Sequence, residues 1–204
     1  VAVERVGTNT LGTQVTLAGV DISLKSTAGG LNGLSVANPE GIREENAIEL
    51  DQVSLDLDIS TLTSDEIIIE SLVDDGARVV FEEKGGRINL QELLNNVDAA
   101  PTDEPADGED APAGEGPTLV IKEFRFTNAK ARLISENLDQ DVSVSIPDVI
   151  LQDIGSKGKG VTAGEAAQQL LDPLIRQVLD GVQDQLVDQL KDKATKKVME
   201  NLPF

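Results

Sequence analysis

The sequence predicts an α+β protein, built from a curved, mainly antiparallel β-sheet of hairpin units, a short helix near residues 89–97 and a long amphipathic C-terminal helix. Three observations lead to this fold class. Apolar and polar residues alternate in the first half of the chain, strand-like segments resume after residue 117, and apolar residues recur every three or four positions in the last segment. A period of two is typical of half-buried strands, and a period of 3.6 is typical of amphipathic helices.

The first predicted element is a series of strands between residues 13 and 81. The alternation is regular in two of its segments, and Gly-rich or Asn-Pro sequences separate the strands. Because successive side chains of a strand point to opposite faces, the apolar residues of each segment share one face of the sheet. These residues define a candidate apolar groove, which either acyl chains or the terminal helix would cover: Val20, Ile22, Leu24, Val53, Leu55, Leu57 and Ile59.

The middle of the chain contains a predicted short helix and an acidic segment. Asn89 is a predicted N-cap for a helix from Leu90 to about Val97. Residues 98–117 then carry seven acids, no base and repeated Pro, Ala and Gly, a composition typical of a disordered linker. The predicted organisation has four parts: a strand-rich half (1–97), the acidic linker or loop inserted in the domain (98–117), strands completing the same sheet (118–160) and the C-terminal helix (161–204).

A weak internal repeat spans the acidic segment. Residues 67–81 align with residues 119–133 at a constant offset of 52, so that Ile67 matches Leu119. We interpret each copy as a strand, a tight turn and a returning strand. Either common hairpin chemistry or duplication explains the similarity, and duplication would favour a sheet of stacked hairpin units.

The C-terminal helix is the clearest local prediction. Thr162 and Glu165 have the spacing of a capping box, and Pro173 either kinks the helix or marks its start. An apolar stripe of the helix lies opposite a row of acids. Three interpretations of this stripe are open: it packs on the sheet, it pairs with a partner protein or a second copy, or it lies on a bilayer. The exposed acids disfavour the bilayer. The stripe is the candidate helix interface: Leu171, Ile175, Val178, Val182, Leu186, Leu190 and Val198.

Composition excludes several classes of function. The chain has 37 acids and 17 bases, a net charge of −20, so its surface repels nucleic acid. It contains no Cys and no His, which removes zinc and iron–sulfur sites, a thiol nucleophile and an imidazole base. We interpret the paired carboxylates Asp56 and Asp58 as the solvated side of a strand. The sequence therefore predicts no metal, no cofactor, no catalytic residue and no enzymatic activity.

Six segments carry phrases that are distinctive in combination: 11–24, 30–42, 47–82, 85–97, 119–133 and 146–155, with GLNGLSVANPEGI and GGRINLQELLNNV among them. Together they resemble the AsmA-like family of bacterial envelope proteins. Members of that family are typically anchored in the inner membrane by an N-terminal helix and face the periplasm. They are similar to chorein-type bridge proteins, whose curved sheets present an apolar groove thought to carry lipid.

The resemblance implies a non-catalytic protein of the periplasm or cell envelope, anchored to the inner membrane in its full-length form by a segment upstream of Val1. Its sheet would bind lipid or acyl chains on the apolar face and support lipid homeostasis of the envelope and outer membrane. The alternative is a structural or assembly protein. Such a protein would form a homo-oligomer or dock an envelope partner through the C-terminal helix and the sheet edges.

Overall fold

A computed structural model describes residues 2–23, 27–100, 117–136, 138, 140–158 and 160–200. In the terminal helix the side chains are described up to residue 188 and at residues 191 and 195. Leu24 and residues 101–116 of the predicted linker therefore lie outside the described residues.

The fold is α+β, as predicted, with a curled sheet that is mainly antiparallel. A short N-terminal helix, α1, precedes the sheet, and the sequence analysis did not predict it. The elements of the described chain are α1 (Ala2–Leu11), β1 (Val15–Ile22), β2 (Ala28–Ala37), β3 (Asn46–Leu57), a 3-10 helix (Ile59–Thr61), β4 (Glu66–Asp75), β5 (Arg78–Lys84), β6 (Arg87–Ile88), α2 (Asn89–Ala99), β7 (Thr118–Thr127), β8 (Lys130–Ser135), β9 (Val142–Ser145), β10 (Val149–Ile154) and α3 (Ala163–Glu200).

The pairing registers show that several strands are halves of longer ones. Val53 of β3 lies opposite Asp74 of β4, and Ile48, five residues earlier, lies opposite Val79 of β5, five residues later. β4 and β5 are therefore one strand that runs antiparallel to β3. By the same comparison β7 and β8 form one strand, and β9 and β10 form another. The sheet thus consists of neighbouring strands in chain order, β1, β2, β3, β4–β5, β7–β8 and β9–β10, with the short β6 paired to β5.

The offset of 52 residues is the register of a parallel strand pair. Ile67 lies beside Leu119 on β4 and β7, and the same offset continues through β5 and β8, where Phe81 lies beside Leu133. The predicted tight turn with a returning strand is therefore wrong for both copies, because each copy continues in the same direction. A parallel pair needs a long connection between its strands, and α2 lies in that connection.

An irregularity crosses the sheet where the half-strands join. At this irregularity consecutive buried residues of a strand are three positions apart, whereas Ala77, Val79 and Phe81 next to it are two positions apart. Gly76 and Asn128 lie within these steps, 52 residues apart, and both have a positive φ, 100° and 53°. Because the pairing registers are the same on both sides of this row, neighbouring strands bulge together and none has an extra residue relative to its partner. We call this row the bulge line; its steps are Asp74 to Ala77, Phe126 to Ala129 and Ile146 to Val149.

On both sides of the bulge line the same face of the curled sheet points towards the helices. We call this face the inner face. α2 begins at Asn89, with Ile88 in the N-cap position and no side-chain cap, so the predicted N-cap role of Asn89 is wrong. Asn89 is instead fully buried. Its Oδ1 accepts the Glu82 N–H at 2.9 Å, and its Nδ2 donates to the Val80 carbonyl at 2.8 Å. A buried amide left without partners is costly, so these bonds fix α2 against β5.

α3 begins with the predicted capping box. The Thr162 N–H donates to Glu165 Oε2 at 2.8 Å, and the Glu165 N–H donates to Thr162 Oγ1 at 3.2 Å. The helix continues through Pro173, which therefore does not mark its start. Gln168 donates to two carbonyls at the end of α2, and Gln185 donates to a carbonyl of β9. These bonds hold α3 across the inner face.

Candidate functional site

The helices cover one part of the inner face. α2 packs on β5, and α3 packs on β7, β8 and β10. Phe81 and Leu133 of the sheet are buried there together with Ile175 and Val182 of α3. The gap that remains between sheet and helix measures about 10 Å³. That volume is at the lower limit for a single water molecule, so this part of the inner face has no room for an acyl chain while α3 is in place.

The inner face continues beyond the helices to β1. Leu31 of β2 pairs with both Val20 and Val53, and Gly29 of β2 pairs with both Ile22 and Leu55. These candidate residues therefore share one face of the sheet. Val53 is buried and Leu55 is half-buried, whereas 43% of Val20 and 55% of Ile22 are exposed. Gly29 lies between Ile22 and Leu55, and a depression of about 360 Å³ adjoins it. We call Val20, Ile22, Gly29 and Leu55 the uncovered strip.

The other predicted groove residues lie elsewhere. Leu57 is buried and ends β3. The prediction that Ile59 continues the alternating strand is wrong. Ile59 begins the 3-10 helix and is 41% exposed. The strand stops because the Asp58 carboxylate caps that helix by accepting a backbone N–H at 3.0 Å. Leu24 lies outside the described residues.

The apolar stripe of α3 packs on the chain's own sheet as far as its side chains are described. Core packing is therefore the interpretation that holds for this stretch. Leu190 and Val198 lie where only the backbone is described, so pairing with a partner there stays a prediction. The members that are fully or partly buried against the core are Leu171, Ile175, Val178, Val182 and Leu186.

A groove of about 1000 Å³ runs along β10, at the opposite end of the sheet from β1. One wall is the strand from Ile150 to Ile154, and the other is the first part of α3 from Gln168 to Pro173. Sequence reasoning missed this β10 groove because its walls are separate in the chain and meet only in the fold. The end of α2 and the loop after β10 supply the rest of the lining: Val97, Asp98, Gly155, Lys157 and Val161.

Asp74 is a buried acid at the bulge line. It is 2% exposed, and its Oδ2 accepts the Ala77 N–H at 3.2 Å. Burial raises the pKa of the Asp74 carboxyl to about 6; the hydrogen bond from Ala77 opposes this shift, and the nearby charges of Asp75 and Asp51 add to it. Asp74 lies level with Phe126 in the core, so it belongs to the packing of the sheet.

The described residues include no group of three acids that could hold a metal ion. No helix among them combines the length and the apolar composition that crossing a membrane requires. Comparisons with protein-family models, with curated proteins and with solved structures found no match. Among the described residues, the depression beside Ile22 and Gly29 and the β10 groove are two surfaces with room for a ligand.

Proposed function

We propose that this protein is a non-catalytic lipid-binding module of the bacterial envelope, of AsmA-like type, and that it holds acyl chains on the uncovered strip. The observation that carries the proposal is the exposure of Val20 and Ile22 on a face that elsewhere forms the core. An acyl chain laid on this face removes apolar surface from water on both partners, which is favourable.

The uncovered strip is open because the helices end short of it. α3 packs on β7, β8 and β10, whereas the strip lies on β1, β2 and β3. Gly29 and Gly30 add no side chains to the depression beside Ile22. The result is a shallow surface at the end of a filled core, apolar at Val20, Ile22 and Leu55 and bordered by Asp21, Ser23 and Gln52 where the depression opens.

Binding is expected to be reversible and selective for the head group. Burying apolar surface contributes about 25 cal/mol per Å², so two half-exposed aliphatic side chains contribute about 2 kcal/mol. Asp21 is exposed beside Ile22 and accepts a hydrogen bond from Asn32 at 2.7 Å. Its negative charge disfavours an anionic head group, so we expect neutral or zwitterionic lipids to bind better than acidic ones.

The envelope location and the inner-membrane anchor belong to the same proposal and rest on the resemblance of segments such as 30–42 and 85–97. Fractionation of cells that produce the full-length precursor tests them. We expect the protein in the inner-membrane fraction, accessible from the periplasm. Recovery from the cytosol alone would contradict this part of the proposal.

Uptake of a zwitterionic lipid, NBD-labelled phosphatidylcholine, followed by fluorescence, tests the lipid site, together with lipid mass spectrometry of natively purified protein. Ile22→Asp places a charge in the uncovered strip, and we expect uptake to fall at least about fivefold. Ile150→Asp is the matched control, since Ile150 is 54% exposed but lies on β10. Equal loss in both variants, or lipid-free protein without any uptake, would contradict the proposal.

A further inference from the structure

We propose a second binding surface: the edge of β10 accepts an extended, basic peptide segment of a partner protein, which adds to the sheet as a further strand between β10 and α3. This surface lies at the other end of the sheet from the uncovered strip, and it does not depend on lipid binding.

The β10 groove has the dimensions of one extended chain. β10 has six residues, which at about 3.3 Å each give an edge of roughly 20 Å. All residues from Ile150 to Ile154 line the groove. Since consecutive side chains of a strand point to opposite faces, a groove that touches Ile150, Leu151 and Gln152 runs along the edge itself. Asp153, with a positive φ of 59°, departs from this alternation. Backbone N–H and C=O groups at such an edge can pair with an added strand.

Side chains occupy parts of the other edges of the sheet. On β1, Thr8 Oγ1 accepts the Val15 N–H at 3.0 Å, and Glu4 Oε1 accepts the Leu17 N–H at 2.9 Å. On β9, Gln185 Nε2 donates to a backbone carbonyl at 2.6 Å. These contacts occupy backbone groups that would otherwise pair with another chain, which is a common protection of edge strands.

β10 has little protection of this kind. Within the described chain, the side-chain hydrogen bond to its backbone comes from Ser156 Oγ and reaches the Asp153 carbonyl, near the end of the strand, at 2.7 Å. Residues 150–152 face the groove instead of a capping side chain. The exposed side chain of Ile150 adds an apolar contact for a residue of the incoming strand.

The charges around the groove favour a basic partner. Arg176 pairs with two of the lining acids, at 3.1 and 2.7 Å, and so offsets part of their charge. The lining has three acids and one lysine, which together with Arg176 leave one negative charge in excess beside the groove. The electric field around the groove is therefore negative, which attracts cationic segments and repels acidic ones. The charged residues of the lining are Asp98, Asp153, Asp172 and Lys157.

The chain itself is a poor occupant of this edge. Residues 101–116 contain three prolines as well as six acids, and proline has no N–H for strand pairing. A second copy would carry the same net charge of −20 and would be repelled at low ionic strength. A basic segment of another protein satisfies both the shape and the charge of the groove.

A seven-residue peptide of alternating lysine and valine, with blocked ends, is the test ligand, and the same peptide with glutamate in place of lysine is its control. We expect the lysine peptide alone to bind at low salt and to shift the backbone amide NMR signals of residues 149–154. Gln169→Arg neutralises the excess negative charge beside the groove and should weaken binding about fivefold. Gln183→Arg, an exposed site on the same helix outside the groove, should leave the affinity unchanged.

Four results would overturn the proposal. The first is equal weakening by the two arginine variants, which would mean attraction to net charge alone. The second is binding without any change at residues 149–154, and the third is equally tight binding of the glutamate peptide. Concentration-dependent protection of the β10 amides without peptide would also overturn it, in favour of a second copy as the occupant.

Discussion

The covered and uncovered parts of the inner face contain the same kinds of residue but differ in what packs on them. Phe81 and Leu133 are buried beneath helices, whereas Val20 and Ile22, which share the inner face, are half exposed. Residue type therefore does not decide burial along this sheet. The reach of α2 and α3 decides it, and ligand binding is proposed where that reach ends.

Ile175→Ala should have the largest effect on the free energy of unfolding, and it tests the packing of the covered part of the inner face. Ile175 is 1% exposed between α3 and the sheet, so truncation leaves a cavity. We expect the free energy of unfolding to fall by about 3 kcal/mol, measured by urea unfolding. Val187→Ala, at a position 47% exposed on the same helix, should change it by less than about 0.5 kcal/mol. Similar small values for both would mean that α3 does not belong to the core.

Asp74→Asn should stabilise the covered part at neutral pH. The folded-state pKa of about 6 lies above the ordinary value of 3.8, so the folded protein holds this proton more tightly than the unfolded chain does. The stabilisation is complete below pH 3.8 and is lost as the pH rises through 6. Asparagine keeps an acceptor for the Ala77 N–H and carries no charge, so we expect a gain of about 2 kcal/mol at pH 7.

The measurement for Asp74→Asn is urea unfolding between pH 4 and 8. The variant should lose most of the decline in stability between pH 4 and 6 that the parent shows. Asp56→Asn, at an exposed position on β3, is the control and should keep that decline. A parallel pH dependence in parent and Asp74→Asn would show that Asp74 is not the group responsible.

Two glycine substitutions compare how closely the covered and the uncovered parts are packed. A Cβ at Gly181 would lie 2.8 Å from Pro147 Cδ at the bulge line, so Gly181→Ala should cost about 1 kcal/mol despite the better helix propensity of alanine. A Cβ at Gly19 of β1 meets no atom within 4 Å, so Gly19→Ala should be neutral or gain about 0.5 kcal/mol. Thermal unfolding of both variants checks the signs; a gain at Gly181 would mean that α3 is further from Pro147.

Ile22→Ser should have the smallest effect on stability, and it tests whether the uncovered part binds a ligand. Ile22 is already 55% exposed, so the free energy of unfolding should change by less than about 0.5 kcal/mol. Uptake of NBD-labelled phosphatidylcholine should fall in the same variant. A stability loss above about 1 kcal/mol without loss of uptake would make Ile22 a core residue rather than a ligand contact.

Local features of the fold could be predicted from the sequence because they depend on neighbouring residues. The capping box of Thr162 and Glu165 forms as its spacing requires. The alternation in β1 and β3 also places Val20 with Val53 and Ile22 with Leu55. It fails at Ile59, where Asp58 prefers to cap a turn rather than continue a strand.

α1 and the role of Asn89 could not be predicted from local pattern alone. The sequence of α1 is short and weakly apolar, and α1 packs against β1, α2 and α3. Asn89 has the residue type of an N-cap, but its partners are the backbone groups of β5. Which of two suitable hydrogen-bonding roles a residue takes depends on what the fold brings next to it.

By itself the sequence determined the α+β class, the apolar face of the strands, the stripe of the terminal helix and the offset of 52 residues. Only the tertiary structure decided that this offset is a parallel register, how far the helices cover the inner face and where the β10 groove opens. The physical reason is that periodicity records which side of an element is apolar. What packs on that side depends on contacts between residues far apart in the chain.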